Sequence, residues 1–86
     1  QIDQYLGSFY NSELETTYTF IHLDGKIFAT HPINTPIELN PIDEDTFITN
    51  TSFLGRVTFI RDESNAIIGC KISGQTAYNL FFERKP

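Results

Sequence analysis

Apolar and polar positions alternate along most of this chain with a period of two, the spacing of a half-buried β-strand. The run Thr16-Thr17-Tyr18-Thr19-Phe20-Ile21-His22-Leu23 is rich in β-branched and aromatic side chains, which suit a pleated surface. Asp24-Gly25 follows directly, and then Lys26-Ile27-Phe28-Ala29-Thr30. An Asp-Gly pair between two such runs predicts a hairpin closed by a type I′ turn, with Gly25 at positive φ.

Further strands follow at short intervals. Pro32 and Pro36 punctuate the chain before Ile37-Glu38-Leu39-Asn40, and Pro41 closes it, so this strand is expected to be bounded by proline on both sides. Asp43-Glu44-Asp45 reads as an exposed turn before Thr46-Phe47-Ile48-Thr49, and Asn50-Thr51-Ser52 as a polar connection toward Gly55. Arg56 to Arg61 predicts a strand closed by Asp62-Glu63-Ser64-Asn65. Ile67 to Ser73 is its hairpin partner, Gly74-Gln75 turns the chain, and Tyr78 to Arg84 completes it. Alternation sets Val57 with Phe59 on one face, Ile68 with Cys70 and Ile72 on another, and Tyr78 with Leu80 and Phe82 on a third. Phe59 and Leu80 are expected in the core.

Ser12-Glu13-Leu14-Glu15 matches a helical capping box, but Thr16-Thr17-Tyr18-Thr19 is a poor continuation, so at most a single turn is expected there. With an opening strand around Leu6 to Tyr10, the count reaches eight. The fold class is all-β: a small eight-stranded antiparallel up-and-down meander closing into a barrel, which removes its exposed edges. An eight-stranded barrel is just wide enough to be filled by side chains or to hold one small ligand. Eight Phe and four Tyr in 86 residues favour filling.

Length allows one domain, residues 1–86. The formal charge is −5, and the basic residues Lys26, Arg56, Arg61, Lys71, Arg84 and Lys85 are scattered. Phosphate tracking needs clustered cations, so nucleic acid is excluded as an expected partner. No apolar run reaches the ~20 residues of a membrane span, so no membrane insertion is expected. Cys70 is the single cysteine and lies in an apolar run, where it reads as a small buried hydrophobe. The chain starts at Gln1, and is expected to be part of a longer or processed protein.

Catalytic patterns are not found. A Ser-x-x-Lys pair would place nucleophile and base on one helical turn. Ser8, Ser12, Ser52, Ser64 and Ser73 instead have Asn11, Glu15, Gly55, Ile67 and Thr76 at that spacing. The glycines at 7, 25, 55, 69 and 74 are too dispersed for a phosphate-binding loop. His22 and His31 lie on paired strands, yet a metal needs three or four ligands. Glu13 with Glu15, and Asp43 with Asp45, are acidic pairs of the kind that turns leave solvated. Asp62-Glu63-Ser64-Asn65 lacks the central glycine and distal Glu of a calcium loop. No catalytic, cofactor-binding or metal residue is therefore assigned, and no cofactor. Asn50-Thr51-Ser52 matches a glycosylation acceptor, a triplet too common to assign a role.

One resemblance spans nearly the whole chain. Leu6-Gly7-Ser8-Phe9-Tyr10-Asn11-Ser12-Glu13-Leu14-Glu15-Thr16-Thr17-Tyr18 resembles the opening of the lipocalin-like β-barrel domain at the C-terminus of many bacterial serine hydrolases. Those hydrolases are related to β-lactamases and penicillin-binding proteins. The likeness continues through Asp24-Gly25-Lys26, Ile37-Glu38-Leu39, Asp45-Thr46-Phe47, Phe59-Ile60-Arg61-Asp62 and Asn79-Leu80-Phe81-Phe82-Glu83-Arg84. It implies a non-catalytic accessory domain whose partner is the catalytic domain of the same polypeptide, in a periplasmic or secreted protein. The resemblance carries over no catalytic residue. The alternatives are a barrel holding a small apolar ligand inside it, and an independent enzyme.

Overall fold

A computed structural model describes residues 2–31, 34–51, 54–74 and 79–85, with the side chains of residues 2, 31, 34 and 35 left aside. A 3-10 turn, Ile2–Tyr5, precedes β1 (Gly7–Asn11), β2 (Thr16–Leu23), β3 (Lys26–His31) and β4 (Asn34–Asp43). Then come β5 (Thr46–Ile48), β6 (Arg56–Arg61), β7 (Ile67–Ser73) and β8 (Leu80–Lys85). Each strand pairs antiparallel with its neighbour in sequence, and β1 pairs with β8 through Ser8–Lys85, Phe9–Arg84 and Tyr10–Glu83. The sheet is thus a closed eight-stranded meander barrel, as the alternation predicts.

The β2–β3 turn has Asp24 at φ 53° and Gly25 at φ 78°, both positive as a type I′ turn requires. Residues 12–15 form the expected single turn, but its cap is Asn11. The Asn11 carboxamide accepts from the Leu14 amide at 2.8 Å and donates to the Phe81 carbonyl at 2.9 Å, so a buried polar side chain is satisfied by the turn and by β8 at once.

Three expectations are corrected, each at a register shift. Both prolines expected to bound β4 lie within it. The β3–β4 register shifts between Ala29 and His31, beside Pro36, and the β4–β5 register shifts between Pro41 and Asp43. Irregular pairing is where a residue without an N–H fits a strand. Ile68 was expected to share a face with Cys70 and Ile72, but it points outward and is 41% exposed. Ile60 pairs with Gly69 and Arg61 with Ile67, leaving Ile68 as the bulged residue, so Ile67 takes the inward place. The turn expected at Gly74-Gln75 and the placement of Tyr78 lie outside the described residues.

Inward positions form one core around Phe9, Tyr18, Phe20, Leu39, Phe47, Val57, Phe59, Cys70 and Phe82, with Leu80 half-buried against it. Phe59 is its hub. Its ring centroid lies 4.6 Å from Tyr5, 5.7 Å from Phe9, 5.3 Å from Phe20 and 5.8 Å from Phe47, three of the four in edge-on geometry. Edge-to-face contacts at these separations are those aromatic quadrupoles prefer. Leu54, fully buried in the β5–β6 connection, adds to the same core.

Candidate functional site

In a meander the connections alternate between the two barrel ends. The β2–β3, β4–β5 and β6–β7 turns therefore share one end with Ile2–Tyr5. There the acidic turn departs from its expected exposure. Asp43 is exposed and caps the Glu44 amide at 2.8 Å, but Asp45, held at φ 61°, turns its carboxylate back onto the barrel. Arg61 Nε donates to Asp45 Oδ2 at 2.8 Å and Arg61 Nη2 to Oδ1 at 2.9 Å, while the Tyr5 hydroxyl donates to Oδ1 at 2.7 Å. Both charged side chains are largely covered, at 16% and 19% exposure for Asp45 and Arg61. A two-pronged guanidinium–carboxylate contact is the strong, oriented form of this pair.

Protonation follows from that contact. The guanidinium hydrogen-bonded to Asp45 holds its carboxyl below the usual carboxylate range, against the opposing effect of burial. Arg61 is raised in turn by its bond to Asp45, which keeps it charged. Burial, reinforced by the bond to a carboxylate, pushes the Tyr5 phenol up, so it stays a donor. Arg61 also donates to Gln4 Oε1 at 2.7 Å and to the Asn65 carbonyl at 2.9 Å. A second arginine, Arg84, donates to the carbonyls of Ile67 and Gln4, each at 3.1 Å, and to the Leu6 carbonyl. Its guanidinium also stands 5.3 Å from the centre of the Phe9 ring. Sequence spacing carries no sign of this cluster, because Tyr5, Asp45 and Arg61 come from three distant segments.

The other residues considered from sequence are distributed differently. His22 is exposed and pairs with Ile27 near the β2–β3 turn, whereas His31 pairs with Asn34 at the opposite end of β3. Among the described residues no three His, Cys, Asp or Glu side chains gather as a metal site would require. The Asp62 carboxylate is occupied by its own turn, accepting from the Ser64 amide and hydroxyl and from the Ala66 amide, and these bonds lower its pKa. Cys70 is buried, and desolvation pushes its thiol up to about 12, so it is protonated and inert near neutrality. Ser8 pairs with Thr19 at 3.0 Å and Ser73 with Asn79 at 3.1 Å.

On the outer wall, a cleft of about 500 Å³ runs beside β1 and β8, lined among others by Tyr10, Asn11, Glu13, Phe81, Glu83 and Lys85. Phe81 is 42% exposed there, and the Lys85 ammonium stands 5.5 Å from the centre of the Tyr10 ring. A smaller cleft of about 180 Å³ at the β2–β3 turn is lined by Lys26, Ile27, Glu38, Leu39, Pro41 and Phe47, with a 3.0 Å Lys26–Glu38 ion pair at its rim. No helix among the described residues is long and apolar enough to cross a membrane. Compared with known proteins, the chain matches no family model, no curated protein sequence and no solved structure.

Proposed function

We propose that this barrel is a non-catalytic accessory domain that packs, through the wall formed by β1 and β8, on the catalytic domain of a serine hydrolase related to β-lactamases. The reading rests on the resemblance of the chain to the lipocalin-like barrels of those enzymes. The observation that carries it is Phe81, an aromatic ring displayed on the outer wall beside a broad cleft of mixed polarity. Exposed aromatic surface with a polar rim is the composition of a docking face. The interior, where Phe9, Phe20, Phe47 and Phe59 touch ring to ring, favours a solid scaffold over an apolar carrier. The inert thiol of Cys70, and hydroxyls at Ser8, Ser64 and Ser73 that bond to neighbouring side chains, fit a chain that leaves catalysis to its partner.

Assaying the purified 86-residue chain against a chromogenic ester and a chromogenic β-lactam tests this reading. No turnover is expected. Turnover abolished by a single Ser→Ala or Cys70→Ala change would overturn it and make the chain an enzyme. Recovery of the upstream coding sequence supplies a second check, since the reading requires a Ser-x-x-Lys hydrolase domain before this barrel.

A further inference from the structure

The cleft beside β1 and β8 has an uneven charge. Tyr10 on β1 and Phe81, Glu83 and Lys85 on β8 line its length, and Glu13, in the turn after β1, stands at one end. Tyr10 and Glu83 are register partners, so a ring and a carboxylate lie side by side on the outer wall. The Lys85 ammonium already serves this part of the cleft, 3.8 Å from the Glu83 carboxylate and 5.5 Å from the centre of the Tyr10 ring. Glu13 is exposed and, among the described residues, has no cation within ion-pair distance. Its turn is pinned to β8 by Asn11, which holds both the Leu14 amide and the Phe81 carbonyl. Two carboxylates against one ammonium leave the cleft with one negative charge in excess, beside aromatic surface.

We propose that the cleft receives an arginine side chain of the neighbouring catalytic domain, its guanidinium at Glu13 and its aliphatic stem along Phe81. The inference rests on the docking reading given above and names the chemistry of the partner's contact. The excess charge calls for a cation, and the surroundings favour arginine over lysine. A guanidinium meets a carboxylate with two parallel bonds, stacks on aromatic faces and is more weakly hydrated than an ammonium. An acidic group on the partner would face Glu13 and Glu83 and be repelled. A purely apolar side chain would strip water from Glu13 and put nothing in its place.

Titrating the full 86-residue chain at low ionic strength with N-acetyl-arginine methylamide, and with its neutral isostere N-acetyl-citrulline methylamide, tests this by NMR. The expected result is saturable binding of the arginine probe, about threefold to tenfold tighter than the citrulline probe, with amide shifts confined to residues 10–13 and 79–85. Glu13→Gln, at an exposed position, should remove most of that preference. Lys85→Gln should tighten the arginine probe about twofold to fivefold, because it frees the Glu83 carboxylate. Equal binding of the two probes, or shifts spread equally over the turns at Asp43-Glu44 and Asp62-Glu63, would reduce the effect to the general attraction of an acidic surface and overturn the proposal. An unchanged preference in Glu13→Gln would overturn it as well. The ester and β-lactam assays test the docking reading separately: turnover there removes the catalytic neighbour, whereas the probe comparison alone decides what the cleft prefers.

Discussion

The ring of Phe81 lies across Gly69 so closely that a methyl group on Gly69 would meet its Cζ at 2.5 Å and the Phe82 carbonyl oxygen at 2.6 Å. The two residues are on neighbouring strands, since Lys71 pairs with Phe81 and Gly69 with Glu83. A glycine on β7 thus receives an aromatic side chain from β8 in place of a side chain of its own. Gly69→Ala should destabilise the barrel by about 1–3 kcal/mol, the cost of overpacking a fitted site. Removing the ring with Phe81→Ala should recover only part of that loss, because the clash with the Phe82 backbone remains. Urea midpoints for the two single variants and the double variant measure both effects, and full recovery would show that the backbone contact is unimportant.

Phe59 touches four other aromatic rings and is almost fully buried. Phe59→Ala should cost about 3–5 kcal/mol, as large-to-small core changes of this size do. Small domains hold about 5–15 kcal/mol in all, so this is a large share. Leu80→Ala, at a half-buried position, should cost clearly less. Equilibrium denaturation ranks the two, and an unchanged midpoint for Phe59→Ala would contradict its place at the centre of the core.

Gly25 sits at φ 78° with nothing within 4 Å of where a Cβ would be. The cost of Gly25→Val is therefore conformational and not steric, about 1–3 kcal/mol for forcing a β-branched residue into the left-handed region. Gly25→Asn should cost less, because Asn tolerates that region. Thermal melts of the two variants test the ordering, and equal losses would mean that the turn does not demand positive φ.

Asp45 ties stability to pH. Its carboxyl is held below its ordinary range in the folded chain, chiefly by the Arg61 hydrogen bond. The folded state therefore binds this proton less readily than the unfolded state, whose carboxyl titrates near ~3.9. The contribution is complete above that value and is lost as pH falls through the lower folded pKa. Asp45→Asn should lower stability at pH 7 and flatten the fall in stability below about pH 4. A residual slope is expected from Asp62, which is lowered in the same direction. Denaturation midpoints measured from pH 7 down to pH 2 report both quantities, and parallel curves for parent and variant would exclude the Asp45 contribution.

Much of the barrel was legible in the chain because its determinants are local. Thr16–Leu23, Arg56–Arg61 and Ile67–Ser73 form strands over the predicted residues. Asp24-Gly25 makes the predicted turn, and eight strands joined in sequence order close the meander. Period-two patterning and turn chemistry act within a few residues, so a single segment reveals them.

What the tertiary structure alone decided lies between segments. Ile68 faces outward because β7 carries one residue more than β6 at that point, a mismatch that belongs to the pair of strands and to neither one. β4 runs through Pro36 and Pro41 because its neighbours shift register beside both. Asp45 is a covered ion-pair partner because the pairing of β5 with β6 brings it to Arg61, 16 residues on, and the folded barrel brings Tyr5, 40 residues back, to the same end. A carboxylate in a turn is solvated unless a cation and a donor arrive to replace its water, and here strand pairing supplies the cation and the folded barrel the donor.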